Sequence, residues 1–218
     1  MHAPRSRIAI LAALALASWP LCVRAEDSAP FQTPTPPEEA PAWWEFEVDV
    51  SVIVPVERST ICPASAECVL NGGVGLGVRA FYRNPDGLSW LGAYDLLAFD
   101  SDSVYEISLL HALRFGLRYT LDGRGRVQPW IGATVGPLAF GGPNSLATGG
   151  AVVTLAAGAH VELTESLSLV LAAELWTLGT GSFRTRDGVD RAQGFGVDVL
   201  FQASLGLNAR FGELVPHL

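Results

Sequence analysis

Apolar and polar residues alternate along most of the chain after residue 43. In the clearest run, the apolar residues Trp44, Phe46, Val48, Val50, Val52 and Val54 alternate with Glu45, Glu47, Asp49, Ser51 and Ile53. A strict period of two is typical of a β-strand that presents one apolar face. We therefore predict that this part of the chain is built from strands.

The alternation recurs seven more times, so we predict eight strands in all. The later strands cover roughly 74–80, 88–99, 105–119, 128–138, 153–163, 167–175 and 195–211. No apolar run after residue 25 approaches the length of a membrane-spanning helix, and apolar residues spread by alternation suit a membrane barrel. We expect an all-β fold, an antiparallel up-and-down eight-stranded transmembrane β-barrel over residues 43–211.

The connections between the predicted strands differ in length. If the first strand runs outward from the periplasm, the outer loops cover 55–72, 100–103, 139–150 and 177–193, and the inner turns cover 83–87, 120–127 and 164–166. Long outer loops and short inner turns are typical of outer-membrane barrels. This asymmetry favours the stated direction of the first strand.

Aromatic residues gather at the ends of the predicted strands. We expect a periplasmic aromatic girdle formed by Trp44, Tyr82, Trp90, Tyr119, Trp130 and Phe211, and an outer one formed by Phe99, Tyr105, Phe140, Trp176 and Phe195. Two such rings mark the interfaces of a membrane barrel. A soluble β-sandwich, the alternative fold, buries its apolar faces against each other and needs no such sorting.

The first 25 residues have the order of a secretory signal peptide. Arg5 and Arg7 precede the apolar run 8–17, and small residues end at Ala25. The apolar run is too short to cross a bilayer. We predict a cleaved signal peptide over 1–25, a Pro-rich periplasmic linker over 26–42 and a short C-terminal tail over 212–218. Export to a Gram-negative outer membrane follows from this interpretation.

The charge of the chain is strongly acidic. It has 22 acidic and 14 basic residues, and every basic residue is an arginine. Cleavage after residue 25 would leave 11 arginines against 22 carboxylates, a net charge of −11. Phosphate backbones are bound by basic faces, so we expect no nucleic-acid partner.

One segment resembles a known family. Gln128-Pro129-Trp130-Ile131-Gly132-Ala133-Thr134-Val135-Gly136 is similar to the aromatic-Gly-x-x-x-Gly strand of small eight-stranded outer-membrane barrels of the OmpA and OmpX type. The last strand, which ends at Phe211, resembles the C-terminal signal of that family, although seven residues follow it here. The resemblance implies outer-membrane lipid and the barrel-insertion machinery as partners.

The inward face of the predicted barrel carries many charges. We expect a lumen charge cluster of Glu45, Glu47, Asp49, Arg79, Glu106, Arg114, Arg118, His160, Glu162, Glu174, Asp198 and Arg210. An eight-stranded lumen is narrow, and unpaired ions inside it are costly, so a salt-bridged filling is favoured over a path for ions or protons. We expect a structural or surface-interaction role, with a narrow porin-like channel for small hydrophobic or ionic solutes as the alternative.

Two histidines are candidates for chemistry. His160 with Glu162 and Glu174 could hold a metal or act as an acid–base pair, yet such spacing also arises on any polar face. Alternation places His111 on the lipid face, and a bulge that turns it inward is the ordinary explanation. A lipid-modifying enzyme is the weaker alternative, so we predict no catalytic residues, no metal and no cofactor.

The predicted outer loops carry two further features. Cys62 and Cys68 are the cysteines that remain after signal cleavage, and an even number in an exported chain predicts one disulfide. Charged residues at 184–191 make the fourth outer loop a candidate surface for an extracellular ligand.

Overall fold

Eight of the described strands close into a barrel. The computed structural model describes residues 42–64, 67–101, 108–121, 125–185, 188–192 and 194–211. Their strands are β1 (Trp43–Glu57), β2 (Gly73–Arg83), β3 (Leu88–Phe99), β4 (Ser108–Thr120), β5 (Val127–Gly142), β6 (Ser145–Glu162), β7 (Leu167–Thr180), β8 (Phe183–Arg184), β9 (Asp190–Arg191) and β10 (Gly196–Phe211). Strands β1–β7 and β10 form the barrel, and β8 and β9 form a separate two-stranded hairpin. Within the described ranges, no helix has the length and apolar character that a membrane span requires.

Every barrel strand is antiparallel to its neighbours, and β1 pairs with both β2 and β10. A path that starts at Trp44 and passes from each residue to its paired residue on the next strand goes once around the barrel. It returns to β1 at Val54, ten residues after Trp44. A stagger of this kind tilts the strands of a closed sheet by roughly 35–45°. We call the end of the barrel at which β1 begins the turn end, and the opposite end the loop end.

The two faces of the wall differ in polarity. On β1 the outward side chain of Val50 is 59% exposed, whereas the inward side chains of Glu45 and Glu47 are 0% and 2% exposed. Near the turn end, this arrangement is the reverse of that in a soluble barrel, which places apolar side chains inside. Outward apolar side chains form a continuous band that includes Val48, Val52, Leu76, Val78, Phe115, Leu117, Ile131, Val135, Leu155, Leu171, Leu175, Leu205 and Leu207.

The strands extend further toward the loop end than the sequence predicts. β5 and β6 stay paired up to Gly142 and Ser145, so the outer loop predicted over 139–150 is wrong. Most of those residues belong to a β-hairpin. The pairing between β5 and β6 shifts register once, after Phe140, and then continues. The loop predicted over 177–193 likewise begins later, because β7 reaches Thr180.

Glycines let β4 and β5 approach closely. A Cβ atom added to Gly136 would lie 1.9 Å from the carbonyl oxygen of Leu113, and one added to Gly116 would lie 2.0 Å from that of Ala133. Real side chains do not tolerate such distances, so alanine at either position would push the two strands apart. The glycine that ends the family-like motif therefore has a packing role in the wall.

Candidate functional site, the filled lumen

Arg79 on β2 is the centre of an ion-pair network inside the barrel. Its guanidinium contacts Glu47 at 2.8 Å, Glu174 at 2.8 Å and Asp95 at 3.6 Å, and it also pairs with Asp49. All five side chains are at most 4% exposed. Since Glu174 lies on β7, this single arginine connects opposite parts of the wall.

Arg114 on β4 continues the network toward the loop end. It contacts Asp95 at 2.8 Å and Glu174 at 2.9 Å, and it donates to the hydroxyl groups of Thr134 and Thr154. Its guanidinium also lies 4.2 Å from the ring centre of Trp176. Arg114 therefore joins the charged layer to the aromatic side chain above it.

Arg118 extends the network toward the turn end. It contacts Glu45 at 2.7 Å and Glu47 at 3.2 Å, and its guanidinium lies 3.5 Å from the ring centre of Phe81. Trp130 faces the same guanidinium at 5.5 Å. Two aromatic rings and two carboxylates therefore surround this buried cation.

The turn end of the lumen holds a second, less buried group of ion pairs. Arg210 lies directly opposite Glu45 across the seam between β10 and β1, with a closest contact of 3.5 Å. Arg210 also contacts Glu162 at 3.3 Å, and Glu162 accepts a hydrogen bond from Gln128. Charged pairs thus continue to the turn end of the barrel.

His160 does not form the site with Glu162 and Glu174 that was considered as an alternative. Its ring is 1% exposed and packs 6.2 Å from Trp130, while Glu162 and Glu174 are engaged by arginines elsewhere. In the part of the chain that the structure describes, no group of three histidine, cysteine or acidic side chains could hold a metal ion.

Another predicted lumen residue, Asp198, lies outside the network. Asp198 is buried at the loop end, where its carboxylate accepts hydrogen bonds from the backbone amides of Thr60 and Ile61. Glu106 lies outside the described residues. Asp95 was missed by sequence reasoning, although it is the only charged residue in the otherwise apolar sequence of β3.

Above the charged network, the lumen is filled by apolar side chains, which the sequence did not predict. Strand residues and residues of the first loop together form this apolar cap. Its members include Ile53, Leu97, Phe99, Leu110, Leu138, Phe140, Val152, Trp176, Leu178, Leu200, Ile61, Val69, Leu70 and Phe183. Each is at most 7% exposed, so the loop end of the barrel is closed by a packed core.

The first loop is tied to the fourth. The buried guanidinium of Arg191 donates to the carbonyl oxygens of Ile61 at 3.1 Å and Glu67 at 2.8 Å. The amide of Ala192 donates to the carbonyl oxygen of Thr60 at 3.1 Å. Arg191 was expected on a charged recognition surface, but its side chain is 0% exposed and acts as an internal tether.

The predicted disulfide between Cys62 and Cys68 is confirmed. It closes a small ring within the first loop, and the Cys68 side chain packs with the apolar cap. Residues on both sides of the ring, Ile61 and Val69, are fully buried. The disulfide therefore constrains the segment that closes the loop end.

The girdle residues divide into two groups. Trp44, Tyr82, Trp90, Tyr119 and Phe211 point outward near the turn end with exposures of 37–60%. The expectation for Trp130 is wrong, because its side chain is 6% exposed and lies inside the lumen. Phe99, Phe140 and Trp176 are also inward and belong to the apolar cap, whereas Phe195 is outward and Tyr105 lies outside the described residues.

His111 lies on the outward face, and the expected bulge that would turn it inward is absent. The β3–β4 pairing runs without a shift through His111, opposite Leu96. Its Nδ1 atom lies 2.8 Å from the hydroxyl of Tyr94, which is also outward. The sequence alternation placed His111 correctly, and no backbone irregularity is needed.

Removal of the Arg191 tether should loosen the first loop. We expect Arg191→Ala to speed amide hydrogen exchange in residues 58–71 by about 10-fold or more, because each charged hydrogen bond contributes roughly 1.5–3 kcal/mol. Exchange measured by mass spectrometry tests this. Arg184→Ala is the control, since Arg184 forms a surface ion pair with Asp190 and its side chain is 69% exposed. Equal exchange in the two variants would contradict the tether.

Comparison with known structures places the fold among small outer-membrane β-barrels. Neisserial surface protein A superposes with a TM-score of 0.59 at 15% identity and covers 77% of this chain and 97% of its own. The outer membrane protein OprG from Pseudomonas aeruginosa gives 0.57 at 14% identity, covering 80% and 98%. Outer membrane protein AlkL, determined in lipid bilayers, gives 0.54 at 14% identity, covering 89% and 100%. The sequence matches no protein-family model and no curated protein.

Proposed function

We propose that this protein is an integral protein of the Gram-negative outer membrane, and that its sealed barrel holds a rigid surface of loops outside the cell. The observation that supports the proposal is the filling of the lumen. The ion-pair network around Arg79 occupies its middle, and the apolar cap around Trp176 occupies the loop end.

The two layers oppose transport in different ways. An ion crossing the middle of the barrel would have to displace Arg79 or Arg114 from buried carboxylates, which is costly in a low-dielectric interior. The apolar side chains of the cap offer an ion no replacement for the water that it would lose. We therefore favour a structural or surface-interaction role over the narrow channel, and no catalysed reaction is part of the proposal.

The outward surface supports placement in a membrane. Apolar side chains at least 40% exposed cover the middle of the barrel, and Trp44, Trp90 and Tyr119 stand near its turn end. Water would be a poor solvent for so large an apolar band, whereas a bilayer suits it. Outer-membrane lipid and the barrel-insertion machinery are the partners that this placement requires.

The loop end supports a role in recognition. The first loop is held by its disulfide, by the Arg191 tether and by Asp198. A surface that is ordered before it meets a partner loses less conformational entropy on binding. An extracellular ligand would therefore find a preformed surface at this end.

Conductance across planar bilayers tests the proposal. We expect the purified, folded protein to give no stepwise currents at a concentration at which a large porin, used as positive control, gives many. The filled lumen is the reason, since in the described part of the barrel the ion pairs around Arg79 and the apolar side chains of the cap occupy it. Reproducible current steps from the unmodified protein would favour the channel instead.

A further inference from the structure

We propose that His111 and Tyr94 form a binding site for the phosphate group of a lipid in the outer leaflet. This inference rests on the proposed placement in the outer membrane. His111 and Tyr94 are polar side chains on the outward face of β4 and β3, and they take no part in the filling of the lumen.

The two side chains stand in otherwise apolar surroundings. The outward neighbours of His111 along β4 are Leu109 and Leu113, and Leu113 is 46% exposed. Tyr94 is 45% exposed on the adjacent strand. A polar side chain in contact with hydrocarbon needs hydrogen-bond partners. The hydrogen bond between His111 and Tyr94 uses only part of the hydrogen-bonding capacity of each side chain.

The hydrogen bond between them prepares the imidazole for a further contact. Nδ1 of His111 lies 2.8 Å from the Tyr94 hydroxyl oxygen. With the tyrosine hydroxyl as donor, the proton of the neutral ring resides on Nε2. Nε2 then offers an N–H to an acceptor outside the protein, while the phenol holds the ring in place.

A groove next to His111 provides room for that acceptor. It is an open groove of about 190 Å³ between β4 and the β5–β6 hairpin, in which the polar residues His111 and Ser145 stand among Leu109, Ala139, Phe140, Gly141, Gly142, Pro143 and Leu146. Ser145 adds a hydroxyl to the wall of the groove. The lining of a larger groove beside Val50 and Val74 also includes two serines, Ser51 and Ser204, but both are at most 9% exposed.

The position of the groove favours a lipid phosphate. The β5–β6 hairpin that forms its wall is the part of the barrel extending toward the loop end. Along β4, His111 lies eight residues from Tyr119 near the turn end, so the strand rise and tilt put it roughly 20 Å above Tyr119, near the far edge of an apolar band about 25 Å tall. Phosphate groups of lipids lie at this level, where the hydrocarbon of the bilayer meets the headgroups.

Native mass spectrometry of the detergent-solubilised protein tests the site with two probes that differ only in the phosphate. These are dimyristoyl phosphatidic acid and dimyristoylglycerol. We expect the unmodified protein to retain phosphatidic acid at least about three-fold more than His111→Leu does, and to retain dimyristoylglycerol equally in both. Tyr94→Phe should weaken retention of phosphatidic acid, because the ring loses its partner.

A matched variant separates this site from general effects. Tyr119→Phe removes an outward hydroxyl from the same strand near the turn end, and its phosphatidic acid retention should equal that of the unmodified protein. Equal retention by His111→Leu and the unmodified protein would overturn the site. Each variant is also run unheated and boiled on a gel. A missing heat shift in the unmodified protein would count against the membrane barrel itself, whereas an intact shift with equal retention rejects only the lipid site.

Discussion

Replacement of Arg79 by methionine should lower the free energy of unfolding by about 3–5 kcal/mol. The substitution keeps much of the aliphatic volume but removes the cation shared by Glu47, Asp49, Asp95 and Glu174. Four carboxylates would then remain in a space where their side chains are at most 3% exposed. Urea unfolding from lipid vesicles, followed by tryptophan fluorescence, measures the loss.

The control for this prediction is Arg184→Met. Arg184 also forms an ion pair, with Asp190 at 3.1 Å, but both side chains are more than 60% exposed. Exposed pairs contribute little, so the free energy of unfolding should change by less than about 0.5 kcal/mol. If the two variants unfolded at the same urea concentration, the central role of Arg79 would be refuted.

Truncation of Trp176 to alanine should cost about 3–5 kcal/mol, through a different mechanism. The indole is 0% exposed and fills the boundary between the ion-pair network and the apolar cap. Its loss leaves a cavity and removes the ring above Arg114, whose guanidinium lies 4.2 Å from the ring centre. The same unfolding measurement detects the change.

Phe195→Ala is the matched aromatic control for Trp176. The Phe195 side chain is 77% exposed on the outward face, so its truncation creates no internal cavity. We expect this variant to lose less than half as much stability as Trp176→Ala. An equal loss of stability in the two variants would contradict the prediction that packing of Trp176 in the apolar cap stabilises the barrel more than an exposed aromatic side chain does.

The barrel itself could be predicted from alternation because its two faces meet opposite environments. The limits expected for the third strand, 88–99, coincide with β3 (Leu88–Phe99). The first strand was expected from Trp44, and β1 begins one residue earlier at Trp43. Outward side chains form an apolar band, whereas inward side chains near the turn end meet a narrow polar lumen, and this difference produces the alternation in the sequence.

The inward aromatic side chains were placed incorrectly because they were assigned to the girdles by their position near a strand end. The alternation of inward and outward positions along the strand was not used. Trp176 shares the face of Glu174, two residues earlier, and Trp130 shares the face of Gln128. The alternation along each strand therefore indicated that these rings point inward. Their inward position is understandable, since rings stack on the buried guanidinium groups of Arg114 and Arg118.

The closure of the loop end could not be predicted from local patterns. It depends on hydrogen bonds between segments more than 100 residues apart, such as the one from Arg191 to Ile61. The alternation of apolar and polar residues predicts strands, but it does not predict which loop folds over the lumen. A charged residue in a loop is ordinarily solvated, so burial of Arg191 against backbone carbonyls leaves no signal in the sequence.

Membrane fractionation of cells that express the full chain, followed by gel electrophoresis with and without boiling, is the most direct test of the account. We predict that the protein is found in the outer-membrane fraction and that the unheated sample migrates differently from the boiled one, because a closed barrel resists detergent until it is heated. A protein recovered in the soluble periplasmic fraction, with the same mobility before and after boiling, would contradict the membrane barrel.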